Sequence, residues 1–271
     1  MKNSNLPTCS LIISTYNWPD ALDLCLKSCL HQTIFPNEII IADDGSKNDT
    51  KILVEKYMAE NPNLFKHIWQ EDAGFRLSKI RNKAILASTS DYIIQIDGDV
   101  ILNKFFIEDH LRMAEEKNFI CGSRASLPAE YSKEVIKKGI KEPNRFKIPL
   151  SHILNSFRIP FLTKRIAYKY QEGKLLSLRG CNMSFWKKDI VSINGYNESY
   201  EGWGHEDAEM VVRLYNKGVK KKYLKFGGIV YHIFHKINIK ENEVQNFEML
   251  NTAIKNKIIW CENGLQKNTQ Q

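Results

Sequence analysis

The chain has 271 residues, 43% of them hydrophobic and 11% aromatic. That is enough to bury a full core, and it excludes a fibrous or wholly disordered protein. Against 31 Asp and Glu, 39 Lys and Arg leave a formal charge of +8, which suits nucleic acid, anionic lipid, phosphorylated substrates or a plain lysine-rich surface and selects none of them.

Residues 1–8 are polar, with no apolar stretch ahead of a cleavage site, so no secretory signal is expected. The first predicted strand is Cys9-Ser10-Leu11-Ile12-Ile13-Ser14-Thr15, an apolar run that ends in polar residues. A helix follows Pro19-Asp20, with apolar positions at Ala21, Leu22, Leu24, Cys25, Cys29 and Leu30. Glu38-Ile39-Ile40-Ile41-Ala42 is a second buried strand, stopped by Asp43-Asp44-Gly45-Ser46. Residues 50–60 read as a helix, 65–70 as a third strand and 77–88 as another helix. Asp91-Tyr92-Ile93-Ile94-Gln95-Ile96 is a fourth strand, ending at Asp97. Strands alternating with helices imply parallel β-α-β units, in which ligands bind outside the carboxyl ends of the strands. The clusters Asp43-Asp44 and Asp97-Gly98-Asp99 lie at two such ends.

Residues 125–174 change character, being rich in Lys, Arg, Ile and Tyr and broken by Pro128, Pro143, Pro149 and Pro160. They read as a helical, irregular and partly mobile insertion. Its Lys133, Lys137, Lys138, Lys141, Arg145, Lys147, Arg158, Lys164 and Arg165 interleave with apolar residues, which suits an anionic membrane surface or a solvated flap. Order resumes at 179–186, followed by a helix over 206–217, a strand over 228–234 and a helical tail from 237 to about 260. No run approaches the ~20 apolar residues of a membrane-spanning helix. The six cysteines are scattered, and Cys25 and Cys29 have no second pair to complete a zinc site. A cytoplasmic chain with free thiols is expected, peripheral on the inner face of any membrane it touches.

Asp97-Gly98-Asp99 follows an apolar strand directly, so both carboxylates can point out of the sheet end. The glycine between them lets a diphosphate approach, although a strand-to-turn corner uses the same residue types. Four segments occur in order: Ser14-Thr15-Tyr16-Asn17, Ala42-Asp43-Asp44-Gly45-Ser46, Arg81-Asn82 and Asp97-Gly98-Asp99. Together they resemble the nucleotide-binding half of inverting family 2 glycosyltransferases with the GT-A fold. A fifth, Gly202-Trp203-Gly204-His205-Glu206-Asp207, resembles the acceptor-site motif of β1,4-galactosyltransferases and bacterial chondroitin-polymerase-type domains. The resemblance spans residues 9–236. It implies an α/β GT-A fold, a Rossmann-like nucleotide-binding mixed sheet flanked by helices, with the basic helical insertion and a C-terminal helical tail. The whole chain, 1–271, is then one domain, with a nucleotide-binding half (9–100), a donor/acceptor half (101–236) and a tail (237–271).

The same resemblance implies roles. Thr15, Tyr16 and Asn17 would line the base pocket, Asp43 would accept a hydrogen bond from a uracil imide with Asp44 beside it, and Arg76 would help hold the nucleotide. A helix cap and turn explains Asp43-Asp44-Gly45-Ser46 as well, and both roles can coexist. Asp97, Gly98 and Asp99 would meet ribose, diphosphate and metal, with Asp99 the firmer ligand. His232 would complete the metal site, ahead of His235; imidazole with carboxylates suits Mn²⁺, or Mg²⁺, better than Ca²⁺. Asp207 would be the catalytic base with Glu206 beside it, since neighbouring carboxylates in a dry pocket have raised pKa values. An acidic first turn that favours the helix dipole is the plainer reading of that pair. Trp203 would stack on an acceptor sugar, and His205 departs from the motif, which usually has glycine there. Arg179, Gly180 and Asn182 resemble a segment lining the donor-sugar pocket, and a buried strand with a glycine bulge would look the same.

These readings imply transfer of a hexose or N-acetylhexosamine from a UDP-sugar to a saccharide or lipid-linked saccharide, in bacterial surface polysaccharide synthesis. A nucleotidyltransferase or pyrophosphorylase shares the layout but needs an early glycine-rich phosphate loop, and Ser14-Thr15-Tyr16-Asn17 has none. A non-catalytic nucleotide- or nucleic-acid-binding module would place bases and aromatics at the recognition surface. Here the strand ends carry carboxylates, so no nucleic acid is expected.

Overall fold

Four apolar runs form the parallel half of the main sheet: β1 (Cys9–Thr15), β2 (Glu38–Asp43), β3 (Phe65–Trp69) and β4 (Tyr92–Asp97). They are connected by α1 (Pro19–Cys29), α2 (Asn48–Glu60) and α3 (Leu77–Ala87). The computed structural model describes residues 6–169, 175–236 and 242–266. Beyond β4 come β5 (Val100–Leu102), α4 (Phe106–Met113), β6 (Asn118–Gly122), β7 (Arg124–Ser126) and α5 (Ala129–Lys138). Then follow α6 (Leu150–Ile153), α7 (Pro160–Ile166), β8 (Asn182–Trp186), α8 (Lys187–Ser192), α9 (Glu206–Asn216), β9 (Lys220–Leu224), β10 (Val230–His232) and α10 (Glu243–Lys255).

The main sheet has the order β3-β2-β1-β4-β8-β6-β9. β8 is antiparallel to both its neighbours, and β9 runs parallel to β6. A second sheet, β5-β10-β7, grows from the chain just past β4. The result is the expected mixed α/β sheet flanked by helices. Side chains alternate across it: Leu11 and Ile13 face Leu22, Cys25, Val54 and Tyr57 of α1 and α2. Ile12 and Ile40 face Ile80 and Ala84 of α3 and Met210 and Leu214 of α9. Burial on both faces is why these strands read as continuous apolar runs.

Register then builds the site edge. Thr15 pairs with Asp43, and Ser14 with Asp97, so the ends of β1, β2 and β4 lie side by side. The small sheet sets His232 opposite Val100, one residue past Asp99.

Several boundaries differ from expectation. β7 occupies residues 124–126 and pairs with β10, so the insertion begins after a strand and not at 125. α5, α6 and α7 make it helical and irregular as far as residue 169; its residues 170–174, and 237–241 of the tail, lie outside the described residues. β10 covers only three residues of the expected strand over 228–234. β9 gives almost no sequence signal because it begins Lys220-Lys221-Lys222, yet Lys221 and Lys222 are buried. All six cysteines are buried free thiols, and among the described residues no helix is long and apolar enough to cross a membrane.

Candidate active site

The centre of the site is Arg81, one turn into α3 and only 1% exposed. Its Nη2 donates to Asp97 Oδ1 (3.1 Å), its Nη1 to Asp207 Oδ1 (3.0 Å), and its Nε to Ser14 Oγ (3.2 Å). Glu206 Oε1 lies 3.8 Å from Nη1, and the guanidinium stacks over the Tyr196 ring at 5.3 Å. A planar fork of donors suits this bridging of several carboxylates, which a lysine could not reproduce. Asp207 Oδ1 also accepts from the Tyr196 hydroxyl (2.9 Å) and from Gln95 Nε2 (3.4 Å). Its other oxygen sits against Gly180, where an added Cβ would fall 1.8 Å from Oδ2. Glycine at 180 is therefore required by the position of Asp207.

Two carboxyls of this cluster are shifted, Glu206 and Asp97. Burial, with the Asp207 charge added and Arg81 opposing, pushes the Glu206 carboxyl up to about 7. Burial, partly offset by Arg81 and reinforced by Asp99 and Asp207, pushes Asp97 up to about 6. Glu206 is the first residue of α9, whose entry uses three left-handed backbone positions, Gly202, Gly204 and His205. His205, at φ 73, occupies a conformation that favours glycine, and its ring packs on Phe247.

Asp99 faces the other way. Its Oδ2 lies 3.3 Å from His232 Nε2 and 3.1 Å from His235 Nε2. The three side chains offer ligand atoms within 4.8 Å of one another. Burial opposes ionisation of Asp99, but hydrogen bonds from His232 and His235 outweigh it and hold the carboxyl well below the usual range. The bond to Asp99 in turn raises His235. Asp99 Oδ1 is buried and accepts no hydrogen bond. An orphaned anionic oxygen beside two imidazoles fits a divalent cation such as Mn²⁺. Asp97, named with Asp99 and His232 from the sequence, is tied to Arg81 instead, and His235 takes the third corner.

On the nucleotide side, Tyr16 is 51% exposed and donates to Asp72 Oδ2 (3.0 Å), leaving a ring face open. Asn17 links two loops: its N–H donates to Ser46 Oγ, and its Oδ1 accepts from Lys47 N–H. The Thr15 carbonyl accepts from Asp44 N–H, and the Gly98 N–H donates to the Ser14 carbonyl. A Cβ at Gly98 would lie 3.2 Å from Thr15 Oγ1. Asp43 is fully buried, with Oδ1 accepting from Ser46 N–H (2.8 Å) and Oδ2 3.0 Å from His67 Nε2. An imide donor would therefore share an oxygen with one of them. Asp44 accepts from Gln70 Nε2 and from Arg76 N–H. The Arg76 guanidinium bonds the Glu71 carbonyl through Nη2 while its buried Nε has no partner.

On the sugar side, Trp203 is 40% exposed, and Arg179 is exposed next to Gly180. Asn182 is a correction. Its Nδ2 donates to the Ser123 and Gly228 carbonyls, and its Oδ1 meets His110 Nε2 (3.0 Å). With every polar atom used inside the core, this amide knits β8 to β6 and offers nothing to a sugar.

A profile described as "Glycosyl transferase family 2" matches residues 10–179. The chain belongs to glycosyl transferase family 2. A second profile, described as "N-terminal domain of galactosyltransferase", matches residues 163–236. The chondroitin synthase of Pasteurella multocida (strain Pm70) is 27% identical over 237 residues, covering 82% of this chain and 24% of that protein. The chain thus spans about a quarter of the length of that relative. S. aureus TarS has the same fold at a TM-score of 0.65 and 17% identity, over 92% of this chain and 40% of that one. The mannosyltransferase PcManGT from Pyrobaculum calidifontis, in complex with GDP-Man and Mn²⁺, gives 0.59 at 13% identity, over 86% and 59%. At such identities the likeness to solved structures shows the fold alone.

For this family member, the sequence reading left Arg81, Tyr196 and Gln95 without roles. Gln95 carried a signal, being the one polar residue inside Tyr92-Ile93-Ile94-Gln95-Ile96. Arg81 was visible only as a motif residue, because the reach of a long side chain is set by the fold.

Proposed function

We propose that the chain transfers a hexose or N-acetylhexosamine from a UDP-sugar to a saccharide or lipid-linked saccharide acceptor, with inversion. The observation that carries this is Arg81 holding Asp97, from the nucleotide half, and Asp207, from the galactosyltransferase-like half, on one guanidinium. The donor's reacting end and the acceptor's base are thereby fixed relative to each other. Asp207, oriented by Arg81, Tyr196 and Gln95, takes the proton of the acceptor hydroxyl. The hydroxyl oxygen attacks the anomeric carbon as its bond to the diphosphate breaks. Glu206 holds a proton near neutrality, which limits the negative charge beside Asp207. Tyr16 offers its ring to the base and Trp203 its indole to the acceptor. A divalent cation held by Asp99, His232 and His235 would neutralise the leaving diphosphate; the Pyrobaculum structure, which holds Mn²⁺, supports that choice. The chondroitin synthase relative supports a saccharide acceptor and a role in bacterial surface polysaccharide.

A second surface bears on lipid-linked acceptors. Phe146 (82% exposed) and Leu150 (86%) stand out with Leu154 and Phe161 on the insertion. They lie among Arg145, Lys147, Lys164 and Arg165, a composition that suits an anionic membrane.

The test incubates purified protein with a panel of nucleotide sugars and Mn²⁺, measuring nucleotide binding, donor hydrolysis and transfer. Asp207→Asn is expected to abolish transfer and leave UDP binding largely intact. Loss of both would make Asp207 a structural residue.

A further inference from the structure

A polar cavity of about 110 Å³ opens between the β6–β7 corner, α6 and the segment leading into β8. Its lining includes Arg124, Arg179, His152, Ser123 and Asn155 and, among the described residues, no carboxylate. Among the described residues neither arginine forms an ion pair: Arg179 Nη1 donates only to the neighbouring Leu178 carbonyl, and Arg124 lies against the Cys181 thiol. Ser123 Oγ is buried without a hydrogen-bond partner. Two unneutralised guanidiniums, an imidazole and an orphaned hydroxyl form a donor-rich, acceptor-poor pocket.

The walls are fixed. Buried Lys221 donates to the Leu175 and Ser177 carbonyls and pins the segment that carries Arg179. Asn155 Nδ2 donates to the Arg124 carbonyl (2.9 Å), and Lys225 Nζ donates to Asn155 Oδ1 (2.7 Å), adding a further positive charge. The pocket also borders the reaction centre on two sides. Arg124 pairs with Val230 in the β7–β10 ladder, two residues from His232. Arg179 precedes Gly180, which lies against Asp207.

We propose that this pocket is an anion subsite, so that one of the two sugars handled here carries a carboxylate or phosphate. The inference rests on the glycosyl-transfer reading only for the word sugar. The anion is held by Arg124 and Arg179, with His152 and Ser123 completing its hydrogen bonds, while the rest of the ring extends towards Asp207.

Titration calorimetry on the full chain with Mn²⁺ tests it in matched pairs. The donor pair is UDP-glucuronic acid against UDP-glucose. The acceptor pair, added to UDP-loaded protein, is a disaccharide ending in glucuronic acid against one ending in glucose. A third pair, free glucose 6-phosphate against glucose, needs no nucleotide. The charged member of the donor or the acceptor pair is expected to bind roughly tenfold to a hundredfold more tightly, as charge-assisted hydrogen bonds imply. The pair showing the preference identifies which sugar is charged. Arg179→Gln, at an exposed position, and Arg124→Gln should each remove most of that preference while UDP affinity stays unchanged. Equal affinity within every pair, or a preference that survives both variants, overturns the subsite. Failure of UDP itself to bind would sink the transferase reading and leave the third pair to report on the pocket.

Discussion

Asp97 and Asp99 stand two residues apart at one strand end, yet they belong to different neighbourhoods. Asp97 joins a closed cluster, in which buried Arg81 donates through all three of its nitrogens, to Asp97, Asp207 and Ser14. Asp99 joins an open one, in which two imidazoles face one oxygen and the other oxygen has no partner. The same carboxylate chemistry thus serves two ends. In the closed cluster a buried cation fixes the geometry of acids that would otherwise repel. In the open cluster an unsatisfied anion is left for a cation from solution. The turn through Gly98 separates them, since each side of it feeds a different sheet.

Breaking the closed cluster has the largest expected effect. Arg81→Met leaves three carboxylates facing one another without their cation, and urea unfolding at pH 7 should show a loss of about 3–5 kcal/mol. A loss under about 1 kcal/mol would mean that water already screens the cluster, and the contrast with Asp99 would dissolve. Next comes the pH dependence of Glu206. Its folded pKa is raised, so its contribution to stability is fully present below the ordinary glutamate range and is lost as pH rises to about 7. Unfolding free energy should fall by up to about 3 kcal/mol across that window, and Glu206→Gln should flatten the curve. Transfer should run the opposite way, increasing with pH through about 7 as Glu206 loses its proton. The smallest effect lies at the entry to α9. Gly204 has φ +104 with open space around it, so Gly204→Ala should cost only the backbone strain, about 1–2 kcal/mol. Thermal unfolding measures it, and no change would mean that the loop relaxes freely.

The closed cluster and the open one were unequally legible. β1 to β4 could be read because strands buried on both faces leave uninterrupted apolar runs, and their acidic ends mark the site edge. Asp207 and Glu206 were singled out through the Trp203 motif, and Asp99 through its place after β4. Arg81 was not given its role, because sequence order does not say where a buried guanidinium lands. Asn182 was misread for a related reason: an Asn beside Gly180 and Cys181 looks the same whether its amide faces a ligand or the core. β9 was hidden by its lysines: buried Lys221 donates to the Leu175 and Ser177 carbonyls, and buried Lys222 to the Met113 carbonyl and the Glu115 carboxylate. His235 was ranked below His232, yet the short β10 brings both rings to Asp99.

The most direct measurement is UDP titration of the chain with Mn²⁺ and again with excess chelator, in the original protein and in Asp99→Asn. UDP should bind with Mn²⁺, weaken at least tenfold without it, and lose that metal dependence in Asp99→Asn, which keeps Arg81 and its partners in place. Equal binding with and without metal, or metal-dependent binding that survives Asp99→Asn, would contradict a cation site at Asp99, His232 and His235.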